Sequence, residues 1–279
     1  MMAATSWGQT NPDTEGDGGR KATILIYGDS GVGKTLACIR MPGPIAWIAF
    51  EGDALESVWA RGYRPEFQKA RTYADALDAV YGVKAIAEKA AKKGEASPFA
   101  TVVLDSITSA EDRIVEELVT RGGKGVVQDS RPEVLSQGGY GVLGGRHRAV
   151  REAVLQIPGV HKVFIALPKS KGDDGTVSAV VPSISGQQGA RFPAYCNWVL
   201  FMEAYKQGGR VKRRLRTRHE GVIFAKDRLG VLASEEDGDL AVMLDKGGYL
   251  KPEDRWHTRD AGLGDRAASD RDWQKLGEE

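Results

Sequence analysis

Cysteine is almost missing from this chain: two residues, Cys38 and Cys196, among 279. They lie far apart and form no CxxC, which argues against a disulfide framework or a thiolate metal site and points to a reducing compartment. No run of 18 apolar residues occurs, and residues 1–19 hold no cleavable signal pattern. A soluble, cytoplasmic protein with no membrane partner is therefore expected. Neither sign of charge dominates: the net charge is +1 and the pI about 7.7, so any nucleic-acid surface must be local. What is present, 41% hydrophobic and 28% charged residues, suits one large α/β domain or two small ones with a real core.

The most specific feature is Gly28-Asp29-Ser30-Gly31-Val32-Gly33-Lys34-Thr35, which fits G-x-x-x-x-G-K-[ST] without a mismatch. The apolar run Ala22–Tyr27 before it reads as a buried strand, and Leu36–Arg40 after it reads as helix. Glycine lets the backbone wrap so that its N–H groups face a β-phosphate. Lys34 then reaches the β/γ oxygens and Thr35 offers its hydroxyl to Mg²⁺. Residues 28–36 are the expected nucleotide-binding segment, with ATP and Mg²⁺ as cofactors. A glycine-rich turn matching by chance is the plain alternative.

Residues 1–20 and 251–279 read as polar, loosely attached tails around a domain spanning 21–250. Within it, strands are expected at Ile45–Phe50, Ala100–Leu104 and His161–Leu167, and helices at Asp53–Ala60, Tyr73–Lys92, Ile107–Val119 and Arg146–Gln156. A glycine-rich loop is expected over 122–145, and a hairpin tip at 172–175 leading into Val177–Val181. Strands near 197–202, 211–217 and 221–225 close the sheet. Alternating strand and helix predicts an α/β fold with a mainly parallel twisted sheet, helices on both faces and an antiparallel C-terminal extension.

Two acids end strands on the expected phosphate side. Asp105 follows Thr101-Val102-Val103-Leu104, as a Walker B acid would, where it can hold a Mg²⁺ water shell opposite Thr35. Glu51 follows the strand Ile45–Phe50 and can orient and deprotonate an attacking water. Helix capping is the alternative for each, and is the preferred reading of Asp53.

In this order, Gly28–Thr35, Glu51, Val102-Val103-Leu104-Asp105-Ser106 and the late Lys226-Asp227-Arg228-Leu229-Gly230 resemble a RecA-like P-loop ATPase core. More closely, Leu104–Thr108 and Lys226–Arg228 look like those of phage-encoded RecA-like ATPases that act in single-strand annealing or recombination. The resemblance covers roughly residues 21–235. It implies Lys34 and Thr35 on phosphate and metal, Asp105 on the metal, Glu51 as general base, and Lys226 with Arg228 reaching a neighbouring subunit's nucleotide. It also implies ring or filament self-assembly, single-stranded DNA as ligand, a possible single-strand-binding protein as partner, and the host cytoplasm if phage-encoded. One place departs from the family: the strand that commonly ends in a polar phosphate sensor here ends Ala166-Leu167-Pro168-Lys169. Either Lys169 substitutes, or nucleotide state and DNA grip are weakly coupled.

Three segments could face nucleic acid. The stretch 122–145 carries Lys124 and Arg131, and 169–190 carries Lys169, Lys171 and Gln187; Tyr140 is the only aromatic side chain in either. Glycine-freed N–H groups and scattered cations suit phosphate better than base reading. In the third segment Arg210, Lys212, Arg214, Arg216 and Arg218 alternate with other residues, which on a strand puts five cations on one face. A charged edge that deters sheet-to-sheet aggregation gives the same pattern. Two other functions fit the phosphate-binding loop: a small-molecule or nucleotide kinase, and an ATP-switched assembly scaffold.

Overall fold

The structure, a computed structural model, describes residues 19–51, 54–172, 174 and 176–250. Both expected tails, save residues 19 and 20, and Asp53 lie outside the described residues. In chain order the elements are β1 (Thr23–Tyr27), α1 (Lys34–Cys38), β2 (Ile45–Ala49), α2 (Glu56–Trp59), β3 (Glu66–Lys69), α3 (Tyr73–Lys92), β4 (Thr101–Asp105) and α4 (Ile107–Arg121). There follow β5 (Val127–Gln128), β6 (Arg131–Leu135), α5 (Gln137–Leu155), β7 (His161–Ala166), β8 (Pro168–Lys171), β9 (Ala179–Pro182) and α6 (Gly186–Arg191). A 3-10 turn at Phe192–Tyr195 leads to β10 (Trp198–Gln207), β11 (Arg210–Arg216), β12 (Lys226–Asp227), β13 (Glu235–Glu236) and α7 (Leu240–Lys246).

The main sheet runs β13-β11-β10-β1-β7-β4-β2-β3, with β12 also on β10. From β3 to β10 all neighbours are parallel; β11, β12 and β13 add antiparallel. Parallel strands need both faces covered, and the sequence supplies this by burying every residue of β1, β2, β4 and β7. Side chains alternate between two cores. Ile24, Ile26, Trp47, Val163 and Leu200 pack with α1 and α7, while Leu25, Tyr27, Ile48, Phe164 and Val199 pack with α3, α4 and α5. The mixed α/β architecture with a mostly parallel sheet agrees with the expected fold class.

Two expectations need correction, and one strand was not expected. The stretch 122–145 is not one loop: β5 and β6 form a short hairpin, and α5 begins at Gln137, nine residues before the expected start. Ser136 caps that helix by accepting the Gly139 N–H (3.1 Å), and Leu143, His147, Val150 and Val154 bury one face. Packing and a cap thus outweigh the glycine penalty of about 1 kcal/mol per residue. Residues 221–225 are no strand of the main sheet; Phe224 donates its N–H to Val180 O and Ile223 bridges Val180, against β9. The edge strand β3, sequence Glu-Phe-Gln-Lys, is too short and polar to be read from pattern, and every residue in it is exposed. Among the described residues no helix is long and apolar enough to cross a membrane. Both cysteines are buried free thiols.

Candidate active site

The loop between β1 and α1 is shaped by close approach. A Cβ on Gly28 would stand 2.2 Å from the Met202 carbonyl oxygen of β10, and Gly33, the N-cap of α1, has φ +102°, which disfavours any L side chain. Lys34 is buried and its Nζ donates to the carbonyls of Gly28 and Asp29, both at 2.7 Å. Burial lowers its pKa, opposed by the nearby charges of Asp105, Asp29 and Glu51.

Although β7 separates β1 from β4, their C-terminal ends bring Thr35 and Asp105 together: Thr35 Oγ1 donates to Asp105 Oδ2 at 2.9 Å. Asp105 is 6% exposed, and its pKa rises to about 6, chiefly through burial, with Glu51 adding to the rise and Thr35 and Lys34 opposing it. Among the described residues no group of three or more His, Cys, Asp or Glu could hold a metal alone. Mg²⁺ does not need one, since it is commonly held by one or two carboxylates and substrate phosphates. One hydroxyl touching one buried carboxylate beside a phosphate loop fits that donor set.

Glu51 lies just past β2, the strand next to β4, and its Oε1 accepts a hydrogen bond from the Ser109 hydroxyl in the first turn of α4. Its exposed carboxylate is close enough to raise the Asp105 pKa. The same helix end reaches the other way. Thr108 Oγ1 accepts the Leu167 N–H (3.0 Å) and donates to Ser183 O (3.2 Å), and Glu111 Oε2 accepts the Ser185 N–H (2.9 Å). At the expected sensor position, therefore, a threonine from α4 engages the backbone, while Lys169 is exposed on β8.

Lys169 lines a cleft of about 610 Å³ with Tyr140, Gly144, Arg148, Gln187 and Arg191. Lys169 and Gln187 are thus brought together as expected residues, and Arg148 and Arg191 join them. These two are not legible as cleft residues in the sequence: Arg148 falls within the expected helix Arg146–Gln156, and Arg191 one residue past the 169–190 segment. The i, i+4, i+8 spacing of Tyr140, Gly144 and Arg148 was the available signal. Lys124, Arg131 and Lys171 are exposed but do not line this cleft.

Within the arginine stripe, Arg214 and Arg216 are engaged by carboxylates. Arg214 bonds Glu203 (2.6 Å) and Glu235 (2.7 Å), and Arg216 bonds Glu203 and Glu220, each at 2.6 Å. Arg214 and Arg216 meet these carboxylates because β11 pairs with β10 and β13, and those strands carry Glu203 and Glu235. From the opposite face of β11, Arg213 reaches the phosphate loop, its Nε donating to Val32 O at 2.9 Å. Lys226 Nζ donates to Pro193 O (2.9 Å) and Cys196 O (3.1 Å), and Arg228 donates to Ala194 O. Both sit beside the N-terminal half of β10, whereas the phosphate loop leaves β1 level with Phe201 and Met202.

A family model described as an AAA domain matches residues 20–229. No curated protein matches the chain.

Proposed function

The chain belongs to the AAA domain family, whose P-loop core serves nucleotide binding and hydrolysis; we propose that it hydrolyses Mg²⁺-ATP and, from the order of its motifs and the cationic cleft, that it is a RecA-like ATPase acting on single-stranded DNA. The observation that carries the ATPase reading is the 2.9 Å contact of Thr35 with buried Asp105 at the mouth of the phosphate loop, with Glu51 beside it. Thr35 and Asp105 would hold Mg²⁺, which supplies charge neutralisation at the β/γ-phosphate oxygens. Lys34 and the loop N–H groups hold the phosphates. Glu51, oriented by Ser109, takes a proton from water as the water oxygen bonds to the γ-phosphorus. The bond from that phosphorus to the bridging oxygen breaks, and ADP and phosphate leave.

DNA binding is supported by the cleft, where Arg148, Lys169 and Arg191 offer cations to phosphate and Tyr140, 53% exposed, offers a stacking face. The turn Thr108–Glu111 links this wall to Glu51, giving a physical route for the two sites to influence one another. Lys226 and Arg228, remote from their own phosphate loop, serve a neighbouring subunit's nucleotide in a ring or filament that promotes annealing or recombination.

The deciding experiment is ATP hydrolysis over a dilution series, with and without single-stranded DNA, using Lys34→Ala as the blank. Stimulation by DNA that fades on dilution is expected. Turnover indifferent to both sinks the assembly and DNA readings and directs the search to small-molecule phosphate acceptors.

A further inference from the structure

The last parallel strand, β10, and the antiparallel β11 beside it wall the phosphate loop. A Cβ on Gly28 would clash with Met202 O of β10, 2.2 Å away, and Arg213 of β11, paired with Ala204, meets the loop at Val32 and Gly33. The Arg213 Nε donates to Val32 O at 2.9 Å, and a Cβ on Gly33 would stand 3.1 Å from that Nε and 3.3 Å from Cδ. A Cβ at position 33 would crowd the Arg213 side chain, which would have to give by a few tenths of an ångström, so glycine there eases the approach of Arg213 as well as the φ of +102°. A second guanidinium is near: the Arg61 pKa is lowered by burial and then by the charge of Arg213.

We propose that Arg213 is a positioning residue that braces the phosphate loop: by fixing the Val32 carbonyl outward, it keeps the following N–H groups turned toward the phosphates. A carbonyl and the next N–H share one peptide plane, so holding Val32 O sets the direction of the Gly33 N–H. Preorganising these donors removes part of the ordering cost of binding. The brace acts on the loop itself and so favours ATP and ADP alike, a uniform binding effect that shows in KM rather than kcat. This inference rests on the ATPase reading for its nucleotide effects, whereas loop order can be measured without nucleotide.

The test compares wild type, Arg213→Met and Arg213→Lys as full-length protein. Hydrogen exchange of the segment 29–36 is measured without nucleotide, ATP and ADP are titrated with Mg²⁺, and thermal unfolding is followed in parallel. In Arg213→Met the segment should exchange faster, and both nucleotides should bind about tenfold more weakly, as for loss of one hydrogen bond to a charged group. Its kcat at saturating ATP should stay near wild type, and Arg213→Lys should recover much of the affinity. Unchanged exchange overturns the brace. So does a loss of ATP affinity with ADP affinity intact, which would mean a γ-phosphate contact, or faster exchange spread over β10 and β11, which would mean a structural role alone. Wild type that binds neither nucleotide would instead overturn the ATPase reading, with the exchange result still judging the brace.

Discussion

The Ser109 hydroxyl holds Glu51 Oε1, and the carboxylate stays exposed and close enough to raise the Asp105 pKa. Removing its charge should therefore affect chemistry more than binding. In Glu51→Gln, kcat should fall about 10²- to 10⁴-fold, the usual contribution of a general base, with ATP affinity near wild type. Single-turnover hydrolysis and equilibrium titration read the two separately; a kcat within a few-fold of wild type would return Glu51 to a capping role. A contrasting residue is Arg216, 16% exposed by its side chain and bonded to Glu203 and Glu220. Alternation in the sequence placed it on a face, but its neighbours on β10 and in the 220 turn decided that it meets carboxylates there. Asp105 and Thr35 were legible because each lies in a short segment whose own strand direction aims it at the same sheet edge.

At the scale of the element, α5 is the informative case. Gly138 and Gly139 meet β5–β6 hairpin surroundings closely: added Cβ atoms would stand 2.7 Å from Gly125 O and 2.1 Å from Val126 O. Gly141, Gly144 and Gly145 meet nothing within 4 Å, yet they line the cleft. These three are not explained by packing within the chain. Replacing all three with Ala should stabilise the helix, by about 0.5–1 kcal/mol per site, and raise Tm. If DNA phosphates approach the helix backbone here, the same variant should bind single-stranded DNA more weakly. A more stable protein with unchanged DNA affinity would remove this face from the DNA reading. Glycine content alone suggested a loop, because local propensity carries no record of Leu143, Val150 and Val154 docking on the neighbouring helices and hairpin.

Across the whole molecule, buried ionisable groups set the response to acid. Burial, with Lys21 and Lys162 nearby, pushes the His161 pKa down to about 3, and its Nδ1 accepts the Ala22 N–H at 3.1 Å, which requires the neutral ring. Burial and Arg151 push His147 down to about 4. Below the ordinary histidine value of about 6.5 the unfolded chain binds protons that the folded chain refuses, so this contribution is full above that pH and is lost on acidification. Asp105 runs the other way: raised to about 6, it takes up a proton in the folded state first, and stability falls as pH rises from about 4 to 6. Two histidines outweigh one carboxyl between pH 7 and 5, so Tm should drop over that interval. His161→Asn, which can keep an acceptor without the titration, should make the drop shallower; an unaltered slope would show that other groups govern it.

The sequence by itself determined the phosphate loop, the Asp105 strand and the position of Glu51. Each of these is a contiguous segment whose backbone conformation follows from its own residues. The parallel sheet was equally legible, since strands buried on both faces must be apolar throughout. Only the tertiary structure decided that Arg213 meets Val32, that Arg214 and Arg216 meet carboxylates, and that Arg148, Lys169 and Arg191 share one cleft. Those contacts join residues far apart in the chain, and they depend on the β10–β11 register and on where α5 starts. A one-residue change in that register would exchange the two faces of β11, and with them the partners of Arg213 and Arg214.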